Sequence, residues 1–142
     1  MTCTFFGHSI VADEIDTVLR NTLIDLIEKH DVNMFYVGNQ GEFDRIVKRV
    51  LSALSEKYPI GYSIVLAYMP TEKKDDEFED YSHTLYPDGI EAVPKRFAIS
   101  YRNKWMIRRA DYVVTYITHT WGGAAQFAET AKRQGKTVIN IA

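Results

Sequence analysis

Short apolar runs alternate along the chain with stretches in which apolar residues recur every three or four positions. The first run, Thr2 to Phe6, is followed by a Gly7-His8-Ser9 turn and then by apolar positions at helical spacing from Ile15 to Ile27. The second run, Asn33 to Val37, ends at a glycine-containing turn, Gly38 to Gly41, before helical spacing returns. This alternation predicts the repeated strand–helix units of a parallel sheet.

The second half of the chain continues the same pattern. A third run, Tyr62 to Tyr68, is almost wholly apolar, as expected for a strand covered on both faces. Helical spacing over Lys95–Arg109, a strand at Tyr112–Ile117, a helix from Gly122 to Arg133 and a strand at Thr137–Ile141 complete the series. We therefore predict an α/β fold: a single Rossmann-like doubly wound domain with a mainly parallel sheet of about five strands flanked by helices, and a binding site beyond the carboxyl ends of the strands.

The alternation lapses between Thr71 and Pro94. Acidic residues crowd the first part of this segment, and prolines and a glycine follow. We interpret the segment as a long loop inside the domain. Long loops in compact domains are often lids, but an acidic, solvated excursion explains the composition equally well.

Composition narrows the class of protein and of partner. A length of 142 residues fits one domain spanning residues 1–142, and a net charge of −2 gives no general reason to expect nucleic acid or an anionic membrane as partner. The single cysteine, Cys3, cannot form an internal disulfide, and the N-terminus lacks the pattern of a secretory signal. No apolar run approaches the roughly 20 residues that span a bilayer. A cytoplasmic protein with a small-molecule partner and no membrane contact is expected.

Three turns that follow predicted strands contain glycine. They are Gly7-His8-Ser9, Gly38-Asn39-Gln40-Gly41, and His119 to Gly123. Glycine allows the backbone to approach a ligand closely, and the amides at a helix start favour phosphate. Each turn taken alone is more often a simple tight turn. None matches the complete dinucleotide fingerprint or a Walker loop, so bound NAD is disfavoured and no cofactor is expected.

The four histidines do not indicate a metal site. They lack close ligand spacing, and one cysteine cannot form a thiolate cluster. The histidines are His8, His30, His83 and His119.

Charged residues on the last two predicted helices are candidates for a ligand site. Arg102 and Arg109 point into the apolar stripe of their helix, so each should meet a protein carboxylate or a bound anion. A structural partner is favoured for Arg109, whereas the two possibilities are balanced for Arg102. Glu129 lies seven residues after Gly122 and shares its helix side with Gln126. It is either a ligand-facing carboxylate or a surface residue beside the basic residues that follow it.

A resemblance covers these two helices. The segment Arg102 to Asp111, a strand, and then Gly122-Gly123-Ala124-Ala125-Gln126-Phe127-Ala128-Glu129 resemble the signature of the LOG-like phosphoribohydrolases, once labelled lysine-decarboxylase-like, of the Rossmann-like SLOG superfamily. In that signature an arginine, a methionine and an Ala-Asp pair precede a Pro-Gly-Gly-x-Gly-Thr-x-x-Glu turn. Trp121 stands in place of the proline, and Ala125 and Gln126 in place of glycine and threonine.

The resemblance implies a site for a nucleoside monophosphate or related nucleotide, with hydrolysis or transfer at the N-glycosidic bond. Glu129 would stabilise positive charge on the ribose and Arg102 would hold the phosphate or orient Glu129. The ligand-binding candidates come from three turns: Gly7, His8, Ser9, Gly38, Asn39, Gly122, Gly123, Ala124 and Gln126. A homodimer is also implied.

Two further functions remain open. A non-catalytic sensor of a nucleotide-derived ligand is favoured by the departures at Ala125 and Gln126. DNA binding, known elsewhere in the superfamily, is unlikely for this chain because one partly buried basic helix does not make a continuous basic surface.

Overall fold

The computed structural model describes residues 1–68 and 83–142, and these form one α/β unit. The strands are β1 (Thr2–Gly7), β2 (Met34–Val37), β3 (Gly61–Val65), β4 (Thr84–Leu85), β5 (Tyr112–Tyr116) and β6 (Thr137–Asn140). The helices are α1 (Asp16–Lys29), α2 (Gly41–Ser55), α3 (Ala98–Arg109) and α4 (Gly123–Arg133), with 3-10 turns at Ile90–Ala92 and Lys95–Phe97. The predicted fold class is confirmed.

The described strands form one parallel sheet in the order β4-β3-β2-β1-β5-β6. The chain moves outward in one direction from β1 to β4 and then crosses back to place β5 on the other side of β1. The order therefore reverses between β1 and β5, and this reversal opens a crevice beyond their carboxyl ends, where ligands of such sheets bind.

The two faces of the sheet are covered by different helix pairs. Alternate residues of β1 divide between them: Cys3 and Phe5 pack in the cluster formed with α1 and α2, whereas Phe6 packs in the cluster formed with α3 and α4. β2 divides in the same way, with Phe35 buried among residues of α1 and α2 and Tyr36 against Trp105 of α3. Burial on both faces explains why these strands have few polar residues.

The predicted loop from Thr71 to Pro94 needs correction where the structure describes it. Its first part, up to residue 82, lies outside the described residues. Thr84 and Leu85 form β4, which pairs with β3 and adds a sixth strand to the predicted five. Two residues are too few to show the period of a strand in the sequence, and the flanking Pro87 and Asp88 favour a loop reading. The helix predicted from Lys95 begins as a 3-10 turn and becomes α-helical at Ala98.

Within the described ranges, none of the helices is long and apolar enough to cross a membrane.

Candidate functional site

Two cavities of similar size flank the turn at Gly122 and Gly123. The arginine cavity, about 670 Å³, lies beyond the carboxyl ends of β1 and β5 and is lined by Arg102, Asp44, Trp121 and the turn after β1. The glutamate cavity, about 680 Å³, lies along α4 and is lined by residues that include Glu129. His119, Gly122 and Gly123 line both. Both volumes are within the usual range for small-molecule sites.

Arg102 forms the buried wall of the arginine cavity. Only 2% of its surface is exposed, and its guanidinium donates to three protein acceptors. Nε donates to Asn103 Oδ1 at 2.7 Å, Nη1 to the Val65 carbonyl at 2.8 Å, and Nη2 to Gln40 Oε1 at 2.6 Å. Burial lowers the pKa of Arg102, and the nearby carboxylate of Asp44 opposes that shift. The prediction that Arg102 faces inward is confirmed, and three of its five N–H groups are held by these bonds.

Asp44 lies on α2 and shares the arginine cavity with Arg102. Its Oδ2 accepts a hydrogen bond at 3.0 Å from the backbone N–H of Gln40, the N-cap residue of α2. Oδ1 has no hydrogen-bond partner among residues 1–68 and 83–142. Burial raises the pKa of Asp44 to about 6, although the Gln40 amide and Arg102 act in the opposite direction. This carboxyl can therefore gain or lose a proton near neutral pH.

Gly38 fixes the approach of these two charged groups. A Cβ at this position would lie 2.9 Å from both Arg102 Nη1 and Asp44 Oδ2. The guanidinium and the carboxyl thus lie on either side of a backbone that has no room for a side chain, and they form no ion pair within 4.0 Å of each other in the described ranges. Gly38 contacts the site through these two side chains and does not line either cavity. Asn39 does not line either cavity; it is exposed and accepts a hydrogen bond from Lys48.

The start of α4 supplies backbone donors to both cavities. Gly122 caps the helix at φ 97°, a conformation that favours glycine, and no side chain caps the helix there. The first hydrogen bond of the helix runs from the Gln126 N–H to the carbonyl of the capping residue Gly122. The N–H groups of the first turn therefore lack intrahelical acceptors. A Cβ at Gly123 would meet nothing within 4 Å, so open space lies next to this part of the backbone.

Three aromatic rings are stacked at the edge of the arginine cavity. The His8 and His119 rings are 3.8 Å apart between centroids and inclined by 9°, and the His119 and Trp121 rings are 3.8 Å apart and inclined by 19°. Backbone groups fix both imidazoles: the Thr118 N–H donates to His8 Nε2, and His119 Nδ1 donates to the Trp121 carbonyl. Burial, and secondly the proximity of His119, lowers the pKa of His8. We call this set the aromatic stack.

Glu129 lies apart from Arg102. It is exposed on α4 and lines the glutamate cavity together with Gln126, Lys132 and Arg133. In the part of the chain that the structure describes, no ion pair within 4.0 Å involves Glu129. The two residues that the sequence nominates as catalytic therefore line neighbouring cavities that share the Gly122-Gly123 turn.

Most of the other predicted ligand-binding residues gather at the arginine cavity. Gly7, His8, Ser9 and Ala124 line it, as do both glycines of the turn. Gly7 also allows close packing, because a Cβ there would collide with the Phe43 ring. No group of three or more His, Cys, Asp or Glu side chains in the described ranges is arranged to hold a metal ion.

The predicted inward direction of Arg109 is wrong. Arg109 is exposed, and its guanidinium carbon lies 3.8 Å from the centroid of the Trp105 ring. It is in the last turn of α3, where the side chain folds back over Trp105 of its own helix and keeps its charge in water.

Three residues of the site were absent from the predicted set. Asp44 has the sequence context of an ordinary acidic residue in the first turn of a helix, and Gln40 has that of a helix-capping turn. In the sequence, Trp121 stands out only because it replaces the proline of the LOG-like signature. Its signal was present in the sequence: a large aromatic residue immediately before a glycine turn that follows a strand.

Comparison with known proteins adds no assignment, since no family model matches the chain and no curated protein matches it either.

Proposed function

We propose that this protein binds a nucleoside monophosphate or a related nucleotide in the arginine cavity and cleaves or transfers at its N-glycosidic bond. The observation that carries the proposal is the convergence on one cavity, at the point where the strand order reverses, of the buried Arg102 guanidinium and the uncapped start of α4. Both features favour an anion, and they come from different parts of the chain.

The resemblance to the LOG-like branch of the SLOG superfamily agrees with this choice of ligand. Arg102 and the Gly122-Gly123 turn occupy the positions that hold the phosphate-bearing substrate in that signature. The resemblance also implies a homodimer, which light scattering on the purified protein would test.

In hydrolysis of an N-glycosidic bond, the bond from the ribose to the base breaks, water bonds to the same carbon, and the departing base takes up the proton that this water loses. Positive charge develops on the sugar as the base departs, so a carboxylate near the ribose is required. The motif assigns that role to Glu129. Burial favours Asp44, which shares the cavity with Arg102, has an Oδ1 with no protein partner among the described residues and is only 9% exposed. A carboxylate stabilises such charge more strongly when water is excluded, so we assign the electrostatic role to Asp44.

A non-catalytic sensor is the second candidate. It is favoured by the separation of Glu129 from Arg102 into different cavities. If Glu129 does not contact the ligand, and Asp44 serves only to balance the charge of Arg102, the protein binds a nucleotide without turnover.

The test uses a panel of AMP, GMP, CMP and UMP. Release of free base, followed by chromatography, detects cleavage, and calorimetry on the same panel detects binding without cleavage. Release of base supports the enzyme, binding alone supports the sensor, and the absence of both contradicts a nucleotide site.

Two valine variants locate the bound phosphate. Gly123→Val fills open space beside the start of α4 without a clash or a positive φ, so the fold should be retained and affinity should fall about tenfold or more. Ala125→Val adds bulk to the glutamate cavity alone and should leave affinity within about twofold. Equal losses of nucleotide affinity in the two variants would contradict a phosphate site in the arginine cavity.

A further inference from the structure

We propose that the outer face of Trp121 is a stacking platform for the planar base of the bound nucleotide. This inference rests on the proposed function and adds to it the part of the site that recognises the base. It concerns a residue outside the motif, since the LOG-like signature has proline at this position.

Among the described residues, the geometry of the aromatic stack leaves the outer face of Trp121 without a stacked ring. His8 and Trp121 are each 3.8 Å from the His119 ring and nearly parallel to it, so they lie on opposite faces of that imidazole. His8 ends the stack on the protein side, where its ring also meets Tyr116 edge-on. Trp121 ends it on the outer side and is 69% exposed. A planar ligand ring placed there would continue the stack by one member.

The indole is held in place although it is exposed. His119 covers one face of the ring, and the His119 side chain is itself anchored by its Nδ1 donation to the Trp121 carbonyl at 2.9 Å. His8 is anchored in turn by the Thr118 N–H. A platform fixed in advance loses little conformational freedom when a ligand binds, which favours affinity.

The position of Trp121 suits a base whose phosphate is at the start of α4. Trp121 precedes Gly122 directly and lines the arginine cavity, but it does not line the glutamate cavity. The phosphate site, the sugar space beside Arg102 and the platform therefore border one continuous cavity. Stacking uses the area of the ring and no particular edge, so purine nucleotides should bind more tightly than pyrimidine nucleotides.

The experiment uses the fluorescence of Trp121 in a Trp105→Phe background. The chain has two tryptophans. Trp105 is buried, and its Nε1 has no hydrogen-bond partner within residues 1–68 and 83–142, so phenylalanine there removes an unpaired donor together with the second fluorescence signal. Titration with AMP or GMP should quench the remaining fluorescence. Ribose 5-phosphate, which lacks a base, should bind in calorimetry without quenching it.

Variants at Trp121 separate stacking from simple bulk. Trp121→Ala should weaken AMP binding by about tenfold to a hundredfold, whereas Trp121→Phe should retain most of the affinity because a flat ring remains. The affinity for ribose 5-phosphate should be the same in the wild type and in both variants. This invariance shows that the phosphate site and the fold are intact.

Each other outcome overturns the inference or the proposed function beneath it. If AMP and ribose 5-phosphate bind equally well and Trp121→Ala changes neither, the phosphate site stands and the platform is wrong. If Trp121 fluorescence changes with protein concentration alone and nucleotides do not affect it, the indole face contacts a second copy of the chain and the platform is again wrong. If neither compound binds, the proposed nucleotide site fails together with the platform.

Discussion

The arginine cavity and the glutamate cavity have nearly the same volume and share His119 and two glycines, but they differ in how their charged groups are held. Arg102 and Asp44 are buried and joined to backbone or amide groups, so the positions of their side chains are fixed. Glu129 is exposed beside Lys132 and Arg133 on a single helix. The LOG-like signature therefore identifies the start of α4 as a binding site. The burial of the charged groups decides that the electrostatic field is stronger in the arginine cavity than in the glutamate cavity.

The largest expected effect is on turnover. Asp44→Asn keeps the shape of the side chain and an oxygen for the Gln40 amide but removes the negative charge, so kcat should fall by about 10²- to 10³-fold with little change in affinity. Glu129→Gln, the matched change in the glutamate cavity, should lower kcat by less than about threefold. Release of free base under saturating nucleotide measures both. A larger fall in kcat for Glu129→Gln than for Asp44→Asn would assign the catalytic role to Glu129.

The next effect is on stability and compares two arginines of one helix. Arg102→Ala removes three hydrogen bonds, leaves the Val65 carbonyl unpaired and isolates the Asp44 charge, so the free energy of unfolding should fall by about 3–5 kcal/mol. Arg109→Ala removes an exposed contact with Trp105 and should cost less than about 1 kcal/mol. Urea denaturation monitored by circular dichroism measures both changes. Similar losses would mean that burial does not distinguish the two side chains.

A smaller effect concerns pH. Because the pKa of Asp44 is raised by burial from 3.8 to about 6, the folded protein holds this proton more tightly than the unfolded chain. Its contribution to stability is complete below about pH 4 and is lost as pH rises through 6, up to ~3 kcal/mol. The wild type should therefore lose stability relative to Asp44→Asn between pH 4 and pH 7, as measured by denaturation at several pH values. If the wild type instead gains stability relative to Asp44→Asn as pH rises, the positive charge of Arg102 outweighs the effect of burial on Asp44.

The sequence predicts the layers of the fold well because strand and helix periods are local properties of the chain. Every predicted helix and each of the five predicted strands is confirmed, with small differences at their ends. β4 was missed because Thr84 and Leu85 are held by pairing to β3, a contact between distant parts of the chain that leaves no period in two residues. The inward direction of Arg102 was predictable from its place in an apolar stripe.

The candidate site was predictable only in part. The spacing of residues in the sequence identifies the Gly122-Gly123 turn and Arg102 as site residues. It does not identify the partners of Arg102, because these lie at the ends of other strands and helices. Asp44 becomes special only because the fold brings it against Gly38 and Arg102. Arg109 is exposed although its spacing places it in the apolar stripe of α3. A helical projection assumes that the sheet covers the whole length of the helix, and this assumption fails in the last turn.

The anchoring of Arg102 also has a consequence for protein synthesis. Its acceptors on Gln40 and Val65 are 62 and 37 residues away in the chain, and both leave the ribosome before the arginine does. Closing such long loops is slow relative to local helix formation. Chains that end before α3 would therefore lack the donor that joins the turn after β2 to the end of β3, and they could not complete the arginine cavity.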